Sequence, residues 1–312
     1  MRKEFFLDTA NEDELRRLWE FVNKQSEVDC IGITTNPNAL AKIECNTMAQ
    51  LEKVLPKLVA LTTEMRNDRS GGIVHVQIPN SEMVDEEILR WAEWVAEFSD
   101  GVTSMAVKIP HQTRILRLTD LIKLRGVLVN VTGIADWATL CKAFQYRDVK
   151  YASLIPGRME EVGIDANRHM EYIKQINRSD DLRRPQASKF QIGKPQSSVA
   201  VYKDSMRQQV IAGSMRTIEG LHNAIARGTV PTIGMRVWDQ LLKPSWKTGQ
   251  HAVSEFTGLW DEKHWPHAVG TGEILADYSH APLVTDANIK LSIDFFEQMD
   301  ELGANMYKEF IR

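Results

Sequence analysis

The chain has 312 residues, 43% of them hydrophobic and 26% charged, with a formal net charge of −4. That composition is ordinary for a globular protein, and the mild acidity argues against nucleic acid or an anionic membrane as partner. No apolar run approaches the roughly 20 residues that span a bilayer, and Met1-Arg2-Lys3-Glu4-Phe5-Phe6-Leu7-Asp8 lacks the sustained apolar stretch of a secretion signal. Cys30, Cys45 and Cys141 are odd in number and widely spaced, so reduced thiols in the cytoplasm are expected. The histidines are scattered too. The closest pair, His264 and His267, has no cysteine beside it, and neither a metal nor an organic cofactor is expected.

Short apolar runs alternate with amphipathic ones from residue 4 to residue 243. Phe5-Phe6-Leu7-Asp8 reads as a first strand, followed by a helix from Asn11 to Val22 with acidic residues in its first turn. A second strand runs over 29–34 and a helix over 48–65. A third strand covers 72–77, with its helix over 85–98. Met105-Ala106-Val107-Lys108-Ile109-Pro110 is the fourth strand, apolar on both faces and stopped by proline, which suits a covered parallel sheet. A helix over 113–123 follows. The fifth strand, 127–131, precedes a helix near 137–144, and the sixth, 151–154, precedes a helix over about 165–176. The seventh, 209–213, and the eighth, 230–234, are followed by helices over 217–227 and 235–242.

Eight strand-helix units in order predict a closed (β/α)8 TIM barrel with a C-terminal helical extension. No GxGxxG follows the first strand to suggest a dinucleotide. The barrel is expected over 1–243, with an inserted polar arm near 178–206. Residues 244–312 are expected to pack on it as part of the same domain. They comprise a Trp-rich segment over 244–283, holding Trp246, Trp260 and Trp265, and one or two amphipathic helices over 284–311. The apolar residues of those helices make a homo-oligomer contact a candidate.

Catalytic groups of such barrels project from the C-terminal strand ends. Here those ends carry Asp8, Thr34 and Asn36, Gln77, Lys108, Asn130 and Thr132, Ser153 with Arg158 after it, and Ser214 with Arg216 after it. Taken singly, each has a plain structural use: turn residue, helix cap or solvated surface. Lys108 alone could simply reach solvent from the strand end. Together they surround one lysine with a carboxylate, amides, hydroxyls and two guanidinium groups. A buried lysine loses its proton more easily and can attack a carbonyl, while arginines suit a phosphate. The inventory fits a phosphorylated carbonyl sugar.

The chain resembles the transaldolase family and its fructose-6-phosphate aldolase relatives. The matching pieces are FLDTA at 6–10, GITTNP at 32–37, AVKIP at 106–110, NVT at 130–132, YAS and GR around 151–158, and AGSMRT at 212–217, in family order. The resemblance implies Lys108 as the Schiff-base lysine and Asp8 as the acid/base. It implies Asn36 and Asn130 as groups that position the sugar and the lysine, and Thr132 as the holder of a catalytic water. Ser214, Arg216 and Arg158 would bind phosphate. The implied substrates are a sugar phosphate or ketose donor and an aldehyde acceptor.

Two positions depart from the family. Transaldolases carry a glutamate at the end of strand three, where this chain has Gln77, as the aldolase-type relatives do. Those relatives use a tyrosine just after strand six, where this chain has Ile155. Three readings follow: a transferase of dihydroxyacetone units, a direct aldolase using free dihydroxyacetone, and a catalytically silent barrel that binds a sugar phosphate.

Overall fold

The computed structural model describes residues 4–22, 29–66, 71–171, 173, 208–241 and 284–312. Eight parallel strands close into a barrel in sequence order: β1 (Glu4–Asp8), β2 (Asp29–Thr34), β3 (Ile73–Gln77), β4 (Ser104–Pro110), β5 (Leu128–Ile134), β6 (Val149–Leu154), β7 (Gln209–Ala212) and β8 (Val230–Ile233). Phe6 and Leu7 of β1 pair with Thr232 and Ile233 of β8, which seals it. The inserted arm at 178–206 and the Trp-rich segment at 244–283, with His264 and His267, lie outside the described residues.

The strands are buried on both faces, which is why they read as apolar runs. Outward residues such as Phe5, Leu7, Val74, Val107 and Val129 join the shell beneath the helices, where Trp91 and Trp238 are fully buried. Inward residues fill the barrel in layers. Phe6, Ile31, Tyr151, Ile211 and Val230 form an apolar plug. Toward the C-terminal end the inward side chains turn polar.

The helices of the wall are α1 (Glu12–Val22), α2 (Pro37–Ala41), α3 (Met48–Met65), α4 (Asp85–Ala96), α5 (Thr113–Leu116), α6 (Thr119–Leu124), α7 (Trp137–Phe144), α8 (Pro156–Glu161), α9 (Ala166–Glu171), α10 (Ile218–Ala226) and α11 (Met235–Leu241). Short polar caps set their starts. Asn36 accepts from Ala39 N with Pro37 at the first helical position, and Asp136 and Thr217 accept from Thr139 N and Gly220 N. The helix expected over 113–123 is instead two short ones. Between them Leu118 N bonds back to the Ile115 carbonyl at 2.9 Å and Thr119 Oγ1 to the Leu116 carbonyl at 3.0 Å, which tightens the chain and breaks the helical ladder.

One helix, α12 (Asp286–Phe310), forms the 284–311 region. Thr285 and Asn288 close a reciprocal capping box at its start. Much of its apolar face packs on the chain's own barrel, while Ile289 and Ile293 stay exposed. Leu291, Phe295, Phe296, Met299 and Met306 are buried against the barrel. Asn288 donates to the Ala135 carbonyl at 2.6 Å, Ser292 to the Gly133 carbonyl, and Asp300 accepts from Ser81 N and Oγ at 2.7 and 2.6 Å. Gly303 lies so close to the β3–α4 loop that a Cβ there would stand 2.0 Å from the Pro79 carbonyl oxygen. The helix thus straps the loops that follow β3 and β5, at the C-terminal mouth.

Candidate active site

Lys108 sits on the inner face of β4, 7% exposed. Its Nζ donates to the Thr35 carbonyl at 3.1 Å. Thr35 is itself pinned, because its N and its Oγ1 both donate to the His75 carbonyl at 2.9 Å. Burial draws the Lys108 amine down to about 8, with Asp8 opposing that shift and Arg158 adding to it. About a tenth of such an amine is neutral at pH 7, far more than of an ordinary lysine, and a neutral amine is nucleophilic.

A cavity of about 350 Å³, counted out to its open mouth, lies against Lys108. Asp8, Thr34, Asn36, Thr132, Ser153 and Ser214 line it, so the structure gathers seven of the sequence-read residues, lysine included, around one space. Thr34 Oγ1 donates to Asp8 Oδ1 at 3.0 Å, which fixes one carboxylate oxygen and leaves the other for a ligand. The Asn36 carbonyl is used in capping α2, so its amide N–H groups are what it can offer to a bound molecule.

Four sequence-read residues stand behind or beside the wall. Asn130 is fully buried next to Lys108 in the β4–β5 ladder. It accepts from Ser153 Oγ at 2.8 Å, and its Nδ2 lies 3.0 Å from His75 Nδ1. Gln77 pairs with Lys108 across β3–β4 and is 5% exposed, with a buried Oε1 that no described group satisfies. Arg158 donates to Gln298 of α12 at 2.8 Å and lies 4.9 Å from the centroid of the Phe295 ring. Burial and the facing Arg216 charge lower its proton affinity. Arg216 Nε donates to Glu161 at 2.6 Å, and that contact holds the Glu161 carboxyl below its usual range.

The turn carrying Ser214 and Arg216 is seated tightly. Ser214 adopts φ 57°, a left-handed conformation that a non-glycine residue adopts at some strain. Opposite it, a Cβ on Gly157 would stand 1.7 Å from the Ser214 carbonyl oxygen, so only glycine lets the β6–α8 and β7–α10 turns approach.

The sequence reading missed four contributors. Thr232 lines the cavity with a buried Oγ1 that has no partner among the described residues. Its signal was a polar residue at the last inward position of β8, hidden by Pro231 before it. Phe295 closes one side from α12. Thr35 holds the lysine through its backbone, which no side-chain pattern reveals. His75 sat in plain view in an otherwise apolar strand. Ile155 and Ile211 give the cavity an apolar side. Among the described residues, no three or more His, Cys, Asp or Glu converge as a metal site would require.

A parallel eight-stranded barrel with a buried lysine on β4 and a carboxylate on β1, both at its C-terminal mouth, defines a (β/α)8 protein with a lysine-centred site. The family model described as Transaldolase/Fructose-6-phosphate aldolase matches residues 5–266, and the chain belongs to that family. A protein of Maridesulfovibrio salexigens named "Probable transaldolase" is 31% identical over 173 residues, 55% of this chain and 68% of that one. A namesake from Streptococcus equi subsp. zooepidemicus is 28% identical over 161 residues, 52% of this chain and 64% of its own length. The solved structure of a dihydrodipicolinate synthase from Rhodopseudomonas palustris covers 96% of this chain at 14% identity, with a TM-score of 0.43, which adds nothing to the fold read from the strand pairing.

Proposed function

We propose that the protein is a Schiff-base transferase that moves a dihydroxyacetone unit from a ketose or its phosphate to an aldehyde acceptor. The observation that carries this reading is the buried Lys108 amine, lowered to about 8, on the wall of a cavity it shares with Asp8. In this reading the neutral amine adds to the ketose carbonyl, and the carbinolamine loses water to give an iminium. Asp8, or a water held by Thr132 and Gln77, takes the proton from the C4 hydroxyl. The C3–C4 bond breaks, its electron pair flows into the iminium, and an aldehyde leaves. The enamine left on Lys108 then attacks the acceptor aldehyde, and water hydrolyses the new iminium to free the lysine. Asn36, Thr34, Asn130 and Ser153 would orient the sugar and the lysine. Ser214, Arg216 and Arg158 would take a phosphate.

Borohydride added with a ketose phosphate should attach a stable adduct to Lys108, read by peptide mass spectrometry. An adduct that persists in Lys108→Met would refute the assignment.

The direct aldolase is the second reading, favoured by Gln77. An amide does not take up a proton at ordinary pH, so it cannot act as the glutamate of transaldolases does. Cleavage that proceeds equally well without an acceptor aldehyde would favour it over transfer.

A further inference from the structure

His75 has no part in the chemistry above, yet it touches the lysine's surroundings twice. Its carbonyl takes both hydrogen bonds of Thr35, whose own carbonyl holds Lys108 Nζ. Its imidazole is fully buried inside the barrel, with Nδ1 3.0 Å from Asn130 Nδ2. Asn130 Oδ1 faces Ser153 Oγ at 2.8 Å. The imidazole ring meets Phe6 at 4.8 Å and Tyr151 at 5.0 Å, both steeply tilted, and Nε2 has no hydrogen-bond partner among the described residues.

Two proton arrangements satisfy this chain. In one, Ser153 donates to the Asn130 oxygen, the Asn130 nitrogen donates to Nδ1, and the imidazole is neutral with its proton on Nε2. In the other the amide is turned over, Nδ1–H donates, and Ser153 accepts. The placement of the amide, with Nδ2 toward the ring and Oδ1 toward Ser153, selects the first. It leaves an N–H rather than a bare lone pair at the buried Nε2, and an N–H tolerates the aromatic rings packed on the imidazole. Burial and the charge of Lys108 both disfavour the imidazolium. The titratable groups facing the ring are Lys108 on β4 and Tyr151 on β6.

We propose that His75 is a positioning residue of the lysine site: a neutral, Nε2-protonated imidazole that accepts from Asn130 and so fixes that amide, nitrogen toward His75 and oxygen toward Ser153, beside Lys108. Its catalytic consequence rests on the Schiff-base reading, since Asn130 is then the group next to the reacting amine.

Nitrogen-15 histidine NMR tests the orientation without substrate, with His75→Phe assigning the signal. A neutral ring protonated on Nε2 is expected between about pH 6 and pH 8, with that preference lost in Asn130→Ala. A ring protonated on Nδ1, or charged in that range, overturns the proposal. The kinetic arm uses His75→Asn, whose amide oxygen can stand where Nδ1 stands. His75→Phe should lower kcat about tenfold with KM little changed, His75→Asn should recover most of that loss, and His75→Phe should cost nothing further in Asn130→Ala. A loss from His75→Phe that persists undiminished in Asn130→Ala would also overturn it. Absence of a borohydride adduct on wild-type Lys108 sinks the Schiff-base reading alone, and the NMR result still decides the role of His75.

Discussion

The Arg158 guanidinium is held by two residues of one distant helix: it donates to Gln298 at 2.8 Å and lies 4.9 Å from the centroid of Phe295. A side chain read as a phosphate ligand is therefore oriented by α12 before any ligand arrives. Phe295 also walls the cavity and is 4% exposed. Phe295→Ala should cost about 3 kcal/mol of stability by urea unfolding, as large-to-small core changes do. Gln298→Ala should leave stability within about 0.5 kcal/mol, being a surface change, yet shift the KM for phosphorylated substrates. An equal KM change for phosphorylated and unphosphorylated substrates would count against Arg158 as a phosphate ligand.

Lys108 carries a pH signature. In the unfolded chain the amine keeps its proton up to about 10.5, whereas in the folded protein it loses it near 8. Below about 8 both states are protonated, and the folded state bears the full penalty of a buried charge. As pH rises from 8 to 10.5 that penalty disappears, so this residue makes stability rise with pH. Lys108→Met should accordingly raise Tm by a few degrees near pH 7, and the gain should shrink as pH approaches 10.5. Calorimetry across that range checks it. In the wild type, the rate of borohydride-trapped adduct formation should climb with pH and level off above about 8.

Thr232 offers a ligand-dependent test. Its hydroxyl is buried and unpartnered among the described residues. Replacing it by valine removes an unsatisfied polar atom without changing shape, which is neutral or stabilising by up to about 1 kcal/mol. If the hydroxyl binds a sugar hydroxyl, Thr232→Val should also raise KM several-fold. An unchanged KM would remove Thr232 from the binding site.

Gly303→Ala tests whether the strap matters. A methyl group there would stand 2.0 Å from the Pro79 carbonyl oxygen, a backbone atom that cannot swing aside. The helix must lift or the loop must move. We expect a loss of roughly 2 kcal/mol and earlier proteolytic cleavage within α12 than within the barrel. Simultaneous digestion of both would mean that helix and barrel unfold as one unit.

The strand order and most of the mouth were legible in the sequence for a physical reason. A strand covered on both faces is apolar throughout, so a polar residue at its C-terminal end stands out, as Asp8, Lys108 and Thr132 do. Residues that act through the backbone or through a partner were not legible. Thr35 works by its carbonyl, and His75 by its hydrogen bond to a residue on another strand. The amphipathic pattern of α12 showed that one face must be buried, but not which loops it would cover, because periodicity specifies a face and not its partner. Pattern reading also merged α5 and α6, since the side-chain-to-backbone bond of Thr119 that separates them leaves no trace in hydrophobic spacing.

The cavity is bounded by Asp8 near one end of the chain and by Phe295 near the other. Its last wall therefore arrives late in synthesis, after every strand of the barrel has emerged. A nascent chain stalled before α12 would carry the lysine and the carboxylate in an unroofed barrel. The proposed chemistry thus depends on α12, and a chain cut before Asp286 would be expected to fold around its core yet handle substrate poorly.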